Sequence, residues 1–202
     1  MISLKLLPWP RPLYSKPKLD RLPRGKAMTI AAGFNCAGGL VFCADRLISH
    51  GNADDPLAFG HYEGKLVALR GKDFSLVLCG AGYTTLIAEA TQELKLRLAD
   101  ADFSHLHDDF AMSLKSSLKG ILPEEQPPQL LIGIMSDSGL TYIFKTENKH
   151  VVSVIGKEII GSGDNALTRY LVDFIYHPGL TLREGVALAV CTVWAGKRYC
   201  PR

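Results

Sequence analysis

Thr29 carries a hydroxyl group that could act as a nucleophile, and it directly follows a second methionine, Met28. Thr29 opens an alternating apolar stretch, which places it at the mouth of a predicted strand. If Met28 is the initiator, residues 1–27 are translated upstream sequence. Residues 24–27 fit this hypothesis, because a purine-rich run that encodes them resembles a bacterial ribosome-binding site. The Met28–Thr29 junction is therefore central to any functional interpretation.

Two groups of histidines and aspartates contain metal-ligating residue types. The first, His105 and His107 with Asp108 and Asp109, begins a predicted helix, where carboxylates interact favourably with the helix dipole. No further ligand is evident, so a solvated helix start is favoured, and we expect neither a metal nor another cofactor. The second group falls in a long polar segment with spacings that specify no site: His50, Asp54, Asp55 and His61.

Length and composition indicate one soluble globular domain. A chain of 202 residues is long enough for one well-buried core and short for two. No stretch approaches the roughly 20 apolar residues of a membrane span, so no membrane partner is expected. The five cysteines form no Cys-x-x-Cys pair and no zinc-like spacing with histidine, which predicts reduced core thiols in a cytoplasmic protein.

The chain divides into a leader, residues 1–28, and one domain, residues 29–202. The leader holds seven of the 23 Lys and Arg residues, one of the 20 Asp and Glu residues and five of the eleven prolines. Its charge is therefore +6 and that of the remainder is −3, so nothing in the domain favours a nucleic-acid groove. Proline at this density disfavours helices and inner strands, so the leader is predicted to be disordered, an arm, or upstream sequence.

Hydrophobic periodicity predicts strands and helices in separate blocks. Two hairpins flank a polar loop over 46–64, with strands over 29–35, 39–45, 65–69 and 74–79. The elements that follow are helices over 83–98 and about 104–122, a hairpin turning at 137–139, two short strands, and helices over 164–175 and 181–194. This order predicts an α+β fold, in which two helix pairs cover two antiparallel sheets as a four-layer αββα sandwich.

Four motifs in order resemble those of proteasome β-type subunits, which are N-terminal nucleophile hydrolases. The segment TIAAGFNCAGGLVFCADRLISHG, which begins at Thr29, resembles the amino-terminal signature of that family, with Asp45 at the family interval. GKLVAL, CGAG and IIGSGDNALTRYL resemble a later strand and two turns that lead into helices. The resemblance covers nearly all of residues 29–199 and implies the αββα sandwich of a bacterial proteasome-like β subunit.

This resemblance implies that Thr29 is the nucleophile of a threonine-type peptidase and that its own α-amine is the general base. A hydroxyl is a weak nucleophile until a base takes its proton, and an amine with a pKa of about 8 suits that role near neutral pH. Thr29 must then be the first residue of the mature chain. If Met28 initiates, removal of that methionine exposes Thr29 without autolysis.

Three further catalytic roles are implied by the same resemblance. Lys65 matches the lysine that lowers the cost of the alkoxide, and Asp45 matches the aspartate that keeps this lysine charged. Ser162 matches the serine that lies beside the threonine amine. Each also has an ordinary structural explanation: a solvated lysine at a strand end, a strand-end carboxylate, and a serine in a tight turn.

A substrate site is implied as well. Gly80 matches the glycine whose backbone N–H stabilises the oxyanion of the tetrahedral intermediate. Ser49 and Gly82 fall where the family holds the substrate backbone as an added strand. Leu78 or a neighbour is expected to line the pocket for the residue before the scissile bond.

The carboxyl-terminal segment departs from the family pattern in two ways. Tyr199 stands at about the position of a family aspartate, so we expect an altered polar network behind Thr29. The chain ends at Arg202, where the family continues with one or two strands, so we expect the last strands to be missing.

The resemblance implies a peptide or protein substrate, a homo-oligomeric ring and an ATP-dependent unfoldase as a further partner. Two alternatives stay open. The first is a noncatalytic structural subunit like the α-type subunits, in which residues 1–28 remain attached and block the amine of Thr29. The second is an N-terminal nucleophile amidohydrolase that acts on a small amide.

Overall fold

The computed structural model describes residues 29–45, 47–50, 59–62, 65–82, 84–98, 128–148 and 150–199. Within these ranges the chain forms ten strands and three α-helices, and the strand ladders are antiparallel. The predicted α+β class is therefore confirmed. None of the helices in these ranges is long and apolar enough to cross a membrane.

A three-stranded sheet carries the residues around Thr29. Its strands are β1 (Ala31–Cys36), β2 (Gly39–Ala44) and β10 (Lys157–Ile160), with β1 in the centre. Ala31, the first residue of β1, is paired with Ala44 on one side and with Ile160 on the other. Strands β2 and β10 therefore both end where β1 begins, next to Ile30 and Thr29.

A five-stranded sheet forms the other large part of the fold. In spatial order its strands are β5 (Leu66–Arg70), β6 (Phe74–Ala81), β7 (Gln129–Ser136), β8 (Thr141–Glu147) and β9 (His150–Val154). The chain leaves this sheet after β9 and enters the three-stranded sheet as β10. Gly156, which lies in the connection, has a φ of 82°, a left-handed conformation that glycine adopts without steric cost.

Two short strands, β3 (Leu47–His50) and β4 (Phe59–Tyr62), pair with each other in a small separate sheet. The prediction of a loop throughout 46–64 is therefore wrong. The glycines and polar residues of this segment dominated that prediction, whereas Ile48, Phe59 and Tyr62 are of types that favour strands.

The described helices are α1 (Thr84–Leu98), α2 (Ala166–Ile175) and α3 (Leu182–Tyr199). Asn165 caps α2, because its side-chain oxygen accepts hydrogen bonds from the backbone N–H groups of Leu167 and Thr168 at 3.1 and 3.0 Å. The helix predicted over 104–122 lies outside the described residues, as does the His105 and Asp108 group.

Helix α3 begins with a reciprocal cap and extends beyond the predicted end at residue 194. Thr181 Oγ1 accepts a hydrogen bond from the Glu184 N–H at 3.3 Å, and Glu184 Oε2 accepts one from the Thr181 N–H at 2.9 Å. At the other end the helix continues to Tyr199, because alanine, lysine and arginine at 195, 197 and 198 favour helix. This extra turn brings Lys197 to the site described below.

Three groups of buried side chains hold these elements together. One lies between α1 and the five-stranded sheet, with Leu94 among its members, and a second lies between the three-stranded sheet and helices α2 and α3, with Ile30 among its members. The third joins residues of both sheets, including Ala31 and Leu131. This arrangement is compatible with an N-terminal nucleophile type of sandwich.

Phe42 occupies the contact between the two large sheets, where two glycines make room for its ring. A Cβ atom on Gly33 would lie 2.8 Å from Phe42 Cζ, and one on Gly133 would lie 2.6 Å from the same atom. We predict that Gly133→Ala lowers the free energy of unfolding by about 1–3 kcal/mol through overpacking, measured by urea denaturation.

The matched control is Gly179→Ala, because a Cβ there meets nothing closer than His177 Nδ1 at 3.5 Å. Equal stability changes for the two variants would contradict the close packing of Phe42 between the sheets.

Candidate active site

Thr29 lies where three chain segments converge at the start of β1. Asp45 follows β2 directly, Ser162 follows β10 after one glycine, and Lys65 precedes the edge strand β5 of the other large sheet. The antiparallel register explains the first two placements, since β2 and β10 both end where β1 begins. Four of the sequence-predicted site residues are thereby brought together.

Asp45 and Lys65 form a buried ion pair that reaches the Thr29 hydroxyl. Lys65 Nζ lies 2.8 Å from Asp45 Oδ1 and donates to Thr29 Oγ1 at 3.3 Å. The side chain of Asp45 has no solvent exposure and that of Lys65 has 7%. Burying these charges is costly unless they are paired, so the pair fixes the ammonium beside the hydroxyl. An ammonium in this place can stabilise negative charge on the threonine oxygen.

The backbone also holds Asp45 in position. Its N–H donates to the Ile30 carbonyl at 3.0 Å, and the Ile30 N–H donates to Asp45 Oδ1 at 3.2 Å. Oδ1 therefore accepts both from the Ile30 backbone and from Lys65. The carboxylate is consequently oriented by the strand that begins at Thr29.

The turn after β10 binds both backbone groups of Thr29. The Thr29 N–H donates to Ser162 Oγ at 3.0 Å, and the Thr29 carbonyl accepts from the Gly163 N–H at 2.9 Å. Because Met28 precedes Thr29 in the sequence, this nitrogen is a peptide nitrogen. Gly161, with a φ of 94°, is required here, since a Cβ atom would collide with the Thr29 carbonyl.

A charged network supports the same turn from behind. Glu158, in β10, lies 2.6 Å from Lys145 and 3.1 Å from Arg169, which in turn lies 2.6 Å from Asp164. Burial alone raises the pKa of Glu158, but the hydrogen bonds from Lys145 and the Ile159 N–H, with the charges of Lys145 and Arg169, leave the pKa below its ordinary value. The network thus links β8, β10 and α2 around Ser162.

The predicted substrate-site residues are only partly tied to this cluster. Gly80 and Gly82 lie at the end of β6, and Gly80 leaves room for Ile87 of α1, which a Cβ would approach at 2.9 Å. The intervening Ala81 has its Cβ 3.1 Å from where a Cβ on Gly161 would lie, so this end of β6 adjoins the Ser162 turn. Leu78 is fully buried in the apolar cluster between α1 and the five-stranded sheet.

Ser49 lies in β3 opposite Gly60. Its backbone is therefore part of a strand, and its side chain is outside the described part of the structure. His50 and His61 share these two strands, and Asp54 and Asp55 lie outside the described residues.

Two of the described cysteines, Cys43 and Cys79, have raised thiol pKa values. Burial raises the pKa of Cys43 to about 12, and burial together with the nearby Cys43 raises that of Cys79 well above its ordinary value. Both thiols therefore stay protonated near neutral pH, and the four described cysteines form no disulfide with one another.

One residue at the site was missed by the sequence analysis. Lys197 Nζ lies 3.5 Å from Asp45 Oδ2, the carboxylate oxygen that makes no hydrogen bond. Sequence reasoning examined Tyr199 in this segment, but its ring packs edge-on against Trp194 at 6.0 Å between centroids. No local motif marks Lys197, because its contact depends on how the end of α3 packs on β1.

The fold of this chain is similar to that of solved Anbu structures, one of which is described as an ancestral beta-subunit. A mutant of Anbu from Hyphomicrobium sp. strain MC1 matches with a TM-score of 0.67 and 16% identity, over 85% of this chain and 75% of that one. No protein-family profile matches the sequence, and no curated protein is significantly similar to it.

Two further Anbu structures give the same result. Anbu from Yersinia bercovieri matches with a TM-score of 0.67 and 14% identity, over 84% of this chain and 75% of that one. A helical assembly of the Anbu complex from Pseudomonas aeruginosa matches with a TM-score of 0.66 and 14% identity, over the same shares.

The sequence-based identification as a bacterial proteasome β-type subunit is therefore wrong, since the structural neighbours are Anbu proteins, which are proteasome-like but a distinct family. The motifs that carried it lie in β1 and β2, at β5, at the end of β6 and in the turn before α2. These segments form the frame of the fold, so they do not separate families that share it.

We predict that Glu158→Gln lowers the free energy of unfolding at pH 7 by about 1–3 kcal/mol, because it removes one partner of a buried charge network. Because the pKa of Glu158 is lowered by folding, its stabilisation is present above the unfolded value of about 4.3 and is lost as pH falls through the folded pKa. The stability of the variant should therefore fall less steeply below about pH 5.

Urea denaturation at several pH values measures both effects. Glu147→Gln is the control, because Glu147 also binds Lys145 at 2.6 Å but has a 56% exposed side chain. A Glu147→Gln loss as large as that of Glu158→Gln would contradict the role of burial.

Proposed function

We propose that this chain is a threonine-type amide hydrolase that cleaves peptide bonds, with Thr29 as its amino-terminal nucleophile. The observation that carries the proposal is the contact of one buried ammonium, on Lys65, with both the Thr29 hydroxyl and the Asp45 carboxylate. A solvated lysine at a strand end would not be held in this way. The proposed chemistry needs no cofactor.

In the proposed reaction the α-amine of a processed Thr29 takes the proton from Oγ1, which attacks the substrate carbonyl carbon. Lys65 stabilises the charge that develops on Oγ1, and Asp45 holds Lys65 in place. The resulting oxyanion accepts a hydrogen bond from the Gly80 N–H. The carbon–nitrogen bond then breaks, the amine returns the proton to the leaving group, and water hydrolyses the acyl ester.

Ser162 contributes by orienting the nitrogen that becomes the base, since its hydroxyl already accepts from the Thr29 N–H at 3.0 Å. We assign Ser49 and Gly82 to the substrate backbone, which would lie as an added strand. The proposal includes a four-layer αββα sandwich, in which the helix predicted over 104–122 lies beside α1.

Homo-oligomerisation is the second part of the proposal. Exposed apolar residues recur every four positions along α3, at Leu182, Val186, Val190 and Trp194, and so form one stripe. Helix α2 adds Tyr170 and Phe174, whose stacked rings are 67% and 79% exposed. Exposed apolar side chains that recur along one helix are typical of a subunit interface. A second copy of the chain is the proposed occupant, and a helical assembly of the Anbu complex is among the structures of similar fold.

Expression from Met28 should give a mature chain that begins with Thr29 and hydrolyses peptide amides. Thr29→Ala should lower kcat/KM at least about 10³-fold, because it removes the nucleophile, whereas Thr29→Ser keeps a hydroxyl and should retain measurable activity. Intact mass and amino-terminal sequencing check the first statement, and hydrolysis of short fluorogenic peptides checks the second.

If Thr29→Ala and Thr29→Ser both keep full activity, Thr29 is excluded as the nucleophile. A cellular protein that keeps residues 1–28 would favour the noncatalytic structural subunit, because Thr29 would then have no free amine.

Val190→Lys should dissociate the oligomer by placing a charge in the apolar stripe, as measured by sedimentation velocity. Leu96→Lys is the matched control, because Leu96 is 62% exposed on α1 and lies outside the stripe. An unchanged sedimentation coefficient for Val190→Lys, or equal dissociation of both variants, would contradict the assignment of this face.

A further inference from the structure

The two oxygens of the buried Asp45 carboxylate have different surroundings. Oδ1 accepts from the Ile30 N–H and from Lys65 Nζ. Oδ2 is buried and makes no hydrogen bond, and the Nζ atom of Lys197 lies 3.5 Å from it. A carboxylate oxygen without any solvent needs a nearby positive charge, and the described structure offers that of Lys197.

The end of α3 is shaped to bring Lys197 to this place. Gly196 lies so close to Ile30 that a Cβ atom would collide with Ile30 Cδ1 and would lie 3.3 Å from the Gly163 carbonyl oxygen. The helix backbone therefore rests directly on the residue that follows Thr29. From this helix end the side chain of Lys197, which is 39% exposed, extends to the buried carboxylate of Asp45.

We propose that Lys197 is a positioning residue that holds the Asp45 carboxylate at its second oxygen and gives the cluster around Thr29 a net positive charge. The inference rests on the proposed hydrolase function and deepens it. It assigns a specific role to a lysine that no motif in the sequence singles out.

Lys197 changes the net charge of the cluster around Thr29. Lys65 and Asp45 alone form a neutral pair, whereas two ammonium groups on one carboxylate leave a net charge of +1. A positive cluster disfavours a protonated amine at Thr29 and favours an anionic Oγ1, and both effects promote nucleophilic attack. Other charged groups described near Thr29 are paired with each other. Arg169 binds Asp164 at 2.6 Å and Glu158 at 3.1 Å, Glu158 binds Lys145 at 2.6 Å, and Lys157 binds Asp173 at 2.8 Å.

The test compares Lys197→Met and Lys197→Arg with the wild-type chain expressed from Met28, after mass analysis has verified Thr29 as the first residue. Arg198→Met is the matched control, because it removes one positive charge from the adjacent residue, whose guanidinium lies over the Trp194 ring at 5.8 Å. One readout is the pH profile of kcat/KM on a fluorogenic peptide. The other is the pH dependence of Thr29 α-amine acylation by acetic anhydride, read by mass spectrometry.

Lys197→Met should move the acid limb of the activity profile and the titration of the α-amine upward together, by about 0.5 to 1 pH unit. Lys197→Arg and Arg198→Met should leave both near the wild-type position. A uniform loss of activity at every pH with an unmoved amine titration would overturn the proposal, because a purely structural role produces that pattern. An equal shift in Arg198→Met would also overturn it, since the effect would then be a general surface field.

The two readouts separate this inference from the proposed function. If no variant and no wild-type sample hydrolyses peptides, the hydrolase proposal fails, whereas the acylation titration still measures the effect of Lys197 on the Thr29 amine. If wild type is active and the titration does not move in Lys197→Met, the hydrolase proposal stands and the role of Lys197 is refuted.

Discussion

The structure around Thr29 depends on one fully buried carboxylate. Asp45 has no solvent to stabilise its charge, so it requires partners that the fold must deliver from several directions. The Ile30 N–H comes from the strand beside it, Lys65 from the edge of the other large sheet, and Lys197 from a helix end. Satisfying one charge therefore aligns two sheets and a helix at the amino terminus of β1.

The rest of the site follows from close approach of backbones rather than from long side chains. Glycines at 161, 163 and 196 let a turn and a helix lie directly on Thr29 and Ile30, where a Cβ atom would collide. Behind them, Glu158 and its cationic partners tie the same turn to the five-stranded sheet. Positions are thus set by main-chain contacts and buried charges, which tolerate little displacement.

Local patterns were sufficient to predict much of the fold. Alternating apolar residues on either side of a glycine turn gave β1 and β2, and the three-to-four spacing gave α1. Patterns did not reveal that β10 leaves the sheet of β9, because strand period does not specify a partner. Nor did they reveal Lys197, whose contact depends on the packing of α3. Thr29, Asp45, Lys65 and Ser162 came from resemblance. The register of β1 explains why Asp45 and Ser162 meet Thr29, whereas Lys65 comes from the edge of the other large sheet.

The turn after β10 binds the main chain of Thr29, since Ser162 accepts a hydrogen bond from its nitrogen and Gly163 donates one to its carbonyl. These two hydrogen bonds are present in a chain in which Met28 precedes Thr29. Cleavage of the Met28–Thr29 peptide bond would therefore create an ionisable amine whose hydrogen-bond partner, Ser162, is already in position. The change on such processing would be confined to the substituents and the charge of one nitrogen.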